Sequence, residues 1–223
     1  MRPPWEVSLL PFAHHWRFLK RFLLSPHTVG SVAPSSKTLA AALCEPYRLG
    51  PRPAAVLEIG AGTGPVTRCL GTLLAAEDRL DICEIQDDFA DIIERDVLTH
   101  ENFASAVAAG RVRLLRLPVQ RLPNGRQYDF IISGLPLTSF PISDVQAVLA
   151  VVRRSLKPGG VFSYFEYVGL RRMKAAVLPG KQGRHARDVS SYLSENIARH
   201  QIHRRTILQN IPPAYARHLQ FDS

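Results

Sequence analysis

The stretch VLEIGAGTG, residues Val56–Gly64, decides the fold class of this chain of 223 residues. Its first half is an apolar run of the kind that forms a buried parallel strand, and its second half is a glycine turn. Pro65 follows, at a position where the first turn of a helix tolerates a missing N–H. A strand, a glycine turn and a helix in this order are typical of the first unit of a nucleotide-binding α/β domain.

Strands and helices alternate along the rest of the chain. The pattern predicts helices at Pro65–Ala76, Asp87–Leu98, Ser143–Leu156 and Val189–His200, and strands at Ala54–Gly60, Leu80–Ile85, Val112–Leu117, Tyr128–Gly134, Gly160–Val168, Ile202–Gln209 and Ala214–Phe221. Such alternation predicts a single, mostly parallel seven-stranded sheet with helices on both faces. We expect residues 51–223 to form this domain and residues 1–50 to form amphipathic and capping helices.

The composition agrees with one folded domain. Hydrophobic residues make up 46% of the chain, and the mean hydropathy is close to zero, which excludes a disordered class. The three cysteines, Cys44, Cys69 and Cys83, are odd in number and lack CxxC spacing. We therefore expect reduced thiols in a cytoplasmic protein and no metal site.

Positive charge is concentrated at the two ends of the chain. Residues 1–53 carry 7 Lys and Arg against 2 Asp and Glu, and residues 160–223 carry 10 against 4, while the total formal charge is +9. The arrangement indicates an anionic partner, either a membrane surface or nucleic acid. A basic surface that only maintains solubility is the alternative interpretation.

The N-terminal segment Trp5–Leu24 combines aromatic and aliphatic residues with His14, His15, Arg17, Lys20 and Arg21. These charges exclude a transmembrane segment. As a helix, the segment would bury its aromatic side chains in a membrane interface while its basic groups meet anionic lipid head groups. A helix that packs on the protein core is the alternative. The first interpretation predicts peripheral association with the inner face of the cytoplasmic membrane.

Two acidic residues flank the glycine turn. Glu58 lies within the first strand, and Glu84 ends the next strand, where a carboxylate can accept hydrogen bonds from both ribose hydroxyls. The pattern EIGAGTG, with an acid after the second strand and LKPGG before the fifth, resembles the class I S-adenosylmethionine-dependent methyltransferases over roughly Ala54–Tyr167. The acid inside the first strand and the LKPGG segment argue against a nicotinamide cofactor.

This resemblance implies S-adenosylmethionine as the cofactor and implies its binding residues. Glu58 would order the glycine loop, Gly60–Gly64 would lie along the methionine part, and Glu84 would hold the ribose. Many members carry an Asp after strand three that binds adenine, but this chain reads LRLPVQRL, so backbone groups of Leu117–Gln120 or the Gln120 side chain take that place. The implied cofactor residues are Glu58, Gly60, Ala61, Gly62, Gly64, Glu84, Ile85, Pro118, Val119 and Ser133.

Four segments together resemble a narrower family, the bacterial phospholipid N-methyltransferases. They are Phe22–Ala40, the glycine loop, Ile132–Pro141 and Gln209–Leu219. The resemblance implies methylation of the head-group amine of phosphatidylethanolamine or of an ornithine lipid. It implies that the amine contacts the turn after strand four and the end of strand five, with Ser133 and Tyr167 as catalytic candidates and Gly134, Leu135 and Pro136 as substrate-binding candidates. Glu166, where relatives carry a small polar residue, is a further catalytic candidate.

Two other functions remain open from the residues. The same lineage includes rRNA adenine methyltransferases, but this chain shows no added basic RNA-binding module, so a nucleic-acid substrate is disfavoured. A non-catalytic, membrane-associated cofactor-binding protein is the other alternative. The basic cluster after strand five is expected in a loop, where it would hold a lipid phosphate or carboxylate, with Arg171 and Arg172 as substrate-binding candidates. Its members are Arg171, Arg172, Lys174, Lys181, Arg184, His185 and Arg187. A solvated run of charge is the alternative interpretation. The oligomeric state is not indicated.

Overall fold

The computed structural model describes residues 37–125 and 127–222. The predicted amphipathic helix Trp5–Leu24 lies outside the described residues. The division of the chain at residue 50 therefore stays a prediction. Two short helices, Lys37–Leu43 (α1) and Glu45–Leu49 (α2), precede the first strand.

Seven strands of the described chain form one sheet in the order β3-β2-β1-β4-β5-β7-β6. They are Ala55–Ile59 (β1), Arg79–Cys83 (β2), Val112–Leu115 (β3), Tyr128–Ser133 (β4), Leu156–Tyr167 (β5), Gln201–Ile207 (β6) and Ala214–Gln220 (β7). The first five strands in this order pair in parallel, and β7 is antiparallel to both of its neighbours. The predicted mostly parallel α/β sheet is confirmed. The strand order reverses between β1 and β4, and ligands of such sheets bind beyond the carboxyl ends at this point.

Helices cover both faces of the sheet. They are Pro65–Leu73 (α3), Asp87–Ile92 (α4), Glu101–Ala108 (α5), Ile142–Ser155 (α6), Leu170–Val177 (α7) and Gly180–His200 (α8), with a π-helical turn at Ile93–Val97 and 3₁₀ turns at Val119–Arg121 and Leu137–Ser139. One apolar cluster joins the sheet to α1, α3 and α5, and a second joins it to α6 and α8. All five residues of β1 are buried, as its apolar sequence predicts.

Some elements differ from the sequence-based expectation. The pattern did not identify α5, whose Phe103 ring occupies the space that a side chain at Gly71 of α3 would need. The segment KPGG lies inside β5, where the pairing with β4 changes register between Tyr128 and Phe130. A register irregularity lets the strand begin directly after α6, without the separate loop that the glycines suggested.

The expectation of a loop over residues 171–187 is wrong. These basic residues belong to α7 and to the first two turns of α8. The Arg171 guanidinium donates a hydrogen bond of 2.7 Å to the carbonyl of Ser190, which connects the two helices. A run of basic residues gives no apolar periodicity, so the sequence did not show this packing.

A buried carboxylate fastens the beginning of the sheet. Asp78, which is fully buried, accepts hydrogen bonds from the Tyr47 hydroxyl (2.7 Å) and from the backbone N–H groups of Ala54 (2.7 Å) and Ala75 (2.9 Å), and it pairs with the Arg52 guanidinium. One side chain thus connects α2, the entry to β1 and the turn before β2.

We expect Asp78→Ala to lower the free energy of unfolding by about 3 kcal/mol, because it leaves a guanidinium and several donors without their buried acceptor. Urea denaturation followed by circular dichroism measures this loss. The neighbouring exposed residue provides the control, since Glu77→Ala removes the same charge and should change stability by less than about 0.5 kcal/mol. Equal losses in the two variants would contradict the role of Asp78.

Candidate active site

The glycine turn after β1 lies against the turn after β4. The N–H of Gly60 donates to the carbonyl of Cys83 (2.8 Å), and that of Gly134 donates to Ile59 (2.9 Å), so the ends of β2, β1 and β4 are held side by side. A Cβ atom on Gly134 would lie 2.4 Å from the Gly60 carbonyl oxygen, and one on Gly60, whose φ is +71°, would lie 2.2 Å from the Leu135 side chain. The two turns can approach this closely only because both positions are glycine.

Glu58 supports the glycine turn from below. Its side chain is fully buried, and one carboxyl oxygen accepts a hydrogen bond of 2.8 Å from the Thr67 hydroxyl in α3. The other oxygen has no hydrogen-bond partner. Burial raises the pKa of Glu58 to about 8, so the carboxyl is mostly protonated at neutral pH. The contact joins β1 to α3 across the glycine turn.

Glu84 holds the turn from the side of β2. Its carboxylate accepts hydrogen bonds from the backbone N–H groups of Gly62 (2.9 Å), Ile85 (2.8 Å) and Gln86 (2.9 Å). Burial raises the pKa of this carboxyl, and the three N–H groups lower it in part. Since a carboxylate offers about four acceptor positions, roughly one remains for a ligand unless a backbone contact is exchanged.

The segment after β3 contains an unpaired polar side chain. Val119 is buried, Pro118 is half-buried, and both amide atoms of Gln120 are buried without a hydrogen-bond partner. Buried polar groups are normally paired, so an unpaired amide marks a position where a ligand can bind. Ala61 and Ile85 stand at the neighbouring strand ends, the first buried and the second half-buried.

The turn after β4 presents a buried hydroxyl. Ser133 is fully buried at the strand end, and its Oγ accepts a hydrogen bond of 3.2 Å from the N–H of Leu135. Pro136, also buried, continues the turn and contributes no N–H donor. The turn is therefore rich in acceptors, namely the Ser133 oxygen and the backbone carbonyls.

Tyr167 ends β5 and packs edge-on against Phe165 at a ring distance of 5.4 Å. Burial raises the pKa of the Tyr167 phenol to about 12, so it is neutral at pH 7 and can donate or accept a hydrogen bond but not act as a strong base. It belongs to the apolar cluster that includes α1 and α3, on the face of the sheet that carries the glycine turn.

Glu166 points to the opposite face of the sheet and is part of a buried charge cluster. One carboxylate oxygen accepts from the Arg217 Nε (2.7 Å), and the other lies 3.2 Å from the Arg171 Nε. Arg171 also donates to the Ser190 carbonyl and, at 2.5 Å, to the Ser194 hydroxyl. The cluster connects β5, β7, α7 and α8.

These contacts change the interpretation of three predicted site residues. Both oxygens of Glu166 already face guanidinium groups, so the geometry favours a structural role over contact with an amine. Arg171 is largely buried and paired, which disfavours it as a binder of a lipid anion. Arg172 lies in α7, and its side chain is outside the described part of the chain. Arg217 was not identified from the sequence, although a carboxylate in an apolar strand signals a buried cationic partner.

Comparisons with known proteins agree with this geometry. The profile of the methyltransferase domain family matches residues 56–160. An ornithine lipid N-methyltransferase from Singulisphaera acidiphila is 32% identical over 148 residues, which are 66% of this chain and 74% of that protein. The chain belongs to the class I S-adenosylmethionine-dependent methyltransferases.

Solved structures share the fold of this methyltransferase. The 1,6-didemethyltoxoflavin-N1-methyltransferase of Burkholderia thailandensis, with bound S-adenosylhomocysteine, has a TM-score of 0.59 at 18% identity and covers 96% of this chain and 91% of its own. The O-methyltransferase TomG of Streptomyces achromogenes, in complex with the cofactor, has a TM-score of 0.57 at 17% identity, with coverage of 98% and 91%.

The strand ends of the methyltransferase fit S-adenosylmethionine. A Cβ atom on Gly62 would meet nothing within 4 Å, so space is open above the turn. One carboxyl oxygen of Glu58 and both amide atoms of Gln120 are buried without a hydrogen-bond partner. We expect the methionine part along Gly60–Gly64, the ribose at Glu84 and the adenine at Pro118–Gln120. These contacts are predictions, as in the sequence-based interpretation.

We expect Glu84→Ala to raise the dissociation constant of S-adenosylhomocysteine at least about tenfold, because it removes the ribose acceptor and releases the Gly62 N–H. Isothermal titration calorimetry measures this change. The exposed residue Glu101 supplies a charge-matched control, and Glu101→Ala should bind normally. Unchanged affinity in Glu84→Ala would show that the ribose lies elsewhere.

The raised pKa of Glu58 predicts a pH-dependent stability. An acid whose pKa rises from 4.5 to about 8 on folding binds more protons in the folded state between these values, so stability falls as pH rises through this range. Glu58→Gln keeps the acceptor for Thr67 without the titration. Its free energy of unfolding, relative to the wild type, should rise by up to about 1.4 kcal/mol per pH unit between pH 5 and 8. Urea titrations at each pH test this, and a constant difference would contradict it.

Proposed function

We propose that this methyltransferase acts on the head-group amine of an aminolipid, with ornithine lipid as the preferred substrate. The observation that carries the proposal is the 32% identity, over 74% of its length, to a protein named ornithine lipid N-methyltransferase. The four sequence segments that resemble phospholipid N-methyltransferases support the same substrate class. Phosphatidylethanolamine is the second aminolipid that this class includes.

The proposed amine site is the turn Ser133–Pro136 together with Tyr167. An amine needs acceptors, and the turn supplies the Ser133 oxygen and backbone carbonyls. A primary alkylamine has a pKa near ~10.4, so its neutral form costs about 4–5 kcal/mol at pH 7. Burial against Leu135 and Pro136 lowers this cost, because it disfavours the ammonium form.

S-adenosylmethionine, when bound, would supply a sulfonium methyl group: the neutral amine would attack the methyl carbon, an N–C bond would form as the C–S bond breaks, and S-adenosylhomocysteine would leave. The residues at this edge contribute orientation and desolvation, and the neutral phenol of Tyr167 contributes a hydrogen bond. Proton loss from the substrate takes place without a strong base among the residues assigned here. The rate of methyl transfer is therefore expected to depend on how completely the amine is desolvated in the turn Ser133–Pro136.

Exposed apolar side chains support action at a membrane surface. Val168 follows β5, and Leu208 and Ile211 form the connection from β6 to β7, where they are about 70% exposed. The Val168 N–H donates to the Pro213 carbonyl at 2.8 Å, so the two connections lie together at the carboxyl edge of the sheet. Apolar groups at the edge that carries the proposed amine site are suited to a lipid interface. No helix of the described residues is long and apolar enough to cross a membrane.

The test is transfer of a labelled methyl group from S-adenosylmethionine to vesicles. Ornithine-lipid vesicles should become labelled most efficiently, phosphatidylethanolamine vesicles less, and purified ribosomal RNA not at all. Glu84→Ala provides the negative control: with the cofactor concentration near the wild-type dissociation constant, its weaker cofactor binding should reduce labelling of either lipid at least several-fold. Labelling of ribosomal RNA without labelling of either lipid would refute the proposal.

A further inference from the structure

An apolar cleft opens between the turn after β4 and the helices α7 and α8. It has a volume of about 530 Å³, within the range of small-molecule sites. Its wall is mainly apolar and includes Phe140, Leu178, Ala186 and Val189. The cofactor contacts described above involve none of these residues.

A single cation stands in this cleft among the described residues. The Lys174 ammonium donates a hydrogen bond of 3.2 Å to the Ser139 hydroxyl, and no carboxylate of the described chain pairs with it. Burial lowers the pKa of Lys174, which indicates an ammonium that lacks compensation. Arg171, one turn earlier in α7, differs because it is paired with Glu166. His185 is the other titratable side chain that lines the cleft, and its Nε2 lies 3.3 Å from the Phe140 carbonyl oxygen.

The cleft begins next to the proposed amine site. Ser139 belongs to the 3₁₀ turn Leu137–Ser139, and its N–H donates a hydrogen bond of 2.8 Å to the carbonyl of Pro136. One short turn therefore separates the hydroxyl that contacts Lys174 from the turn Ser133–Pro136. On the other side, α7 begins three residues after Tyr167. Both strand ends that form the amine site lead directly into the walls of the cleft.

We propose that this cleft binds the acyl chain of the substrate lipid and that Lys174, with Ser139, binds the head-group carboxylate. The inference rests on the proposed function. An ornithine lipid retains a free carboxylate, an acyl chain on its α-nitrogen and a side-chain amine a short aliphatic chain away. The cleft and its surroundings offer a matching group for each part, namely the Lys174 ammonium for the carboxylate, the apolar wall for the acyl chain and the neighbouring acceptor-rich turn for the amine.

The direct test uses N-dodecanoylglycine, which carries the acyl chain and the carboxylate but no amine to methylate, and its uncharged methyl ester. Calorimetry should show that the wild type binds the acid at least about tenfold more tightly than the ester, as expected for a charge-assisted contact. Lys174→Gln should abolish this preference, and Lys174→Arg should retain most of it. Arg79→Gln, which removes one exposed positive charge at the opposite edge of the sheet, should behave as the wild type.

A second variant tests the acyl chain independently. Ala186→Phe narrows the cleft, so it should weaken binding of both acid and ester about equally and keep the preference for the acid. Thermal unfolding followed by circular dichroism confirms that each variant is folded. Equal binding of acid and ester by the wild type, or an unchanged preference in Lys174→Gln, overturns the assignment of Lys174.

Activity separates this inference from the proposed function. With ornithine lipid, Lys174→Gln should raise KM at least about tenfold and change kcat less, since the carboxylate contact contributes to binding. If ornithine lipid is methylated with the same KM by the wild type and Lys174→Gln, the proposed function stands and the inference fails. If no aminolipid is methylated but the acid still binds through Lys174, the site stands and the proposed function fails.

Discussion

The cofactor end of this methyltransferase depends on the contact between the Glu84 carboxylate and the backbone N–H of Gly62. That hydrogen bond joins the end of β2 to the glycine turn of β1, while two further N–H groups fix the same carboxylate at the start of α4. Because most of its acceptor positions are already used, a ribose has to share or exchange them. We therefore expect cofactor binding to change the position of the glycine turn through the Glu84 side chain.

Two buried ionisable groups near this edge, Glu58 and Glu166, and the half-buried Lys174 are stabilised in different ways. Glu58 is neutralised by a proton, as its raised pKa indicates, whereas the Glu166 carboxyl lies between the guanidinium groups of Arg217 and Arg171. Within the described chain, the Lys174 ammonium contacts the Ser139 hydroxyl and pairs with no carboxylate. A buried charge without a partner is costly, and proteins keep such groups mainly where a ligand supplies the missing charge. This contrast singles out Lys174 from the other basic residues of α7 and α8.

The sequence predicted the parts of the structure that local patterns control. The apolar run before Gly60, the glycine turn and the alternation of strands and helices were sufficient for the sheet and for the position of the cofactor edge. Contacts between distant residues could not be predicted in this way. The pair of Glu166 and Arg217 depends on the antiparallel register of β5 and β7, and the contact of Lys174 with Ser139 depends on how α7 packs over the turn after β4. Local composition carries no information about either.

The position of α7 also explains why the basic residues after β5 have different roles. A loop would have presented Arg171 and Lys174 to solvent as one positive patch. Because the segment is a helix, residues three apart share a side of it, yet Arg171 reaches α8 while Lys174 reaches the turn after β4. Arg171 thus contributes to the packing of the helices, and Lys174 lines an apolar cleft. A lipid amine that enters beside Lys174 would leave water at the same step, and desolvation of that amine is what a site without a strong base requires.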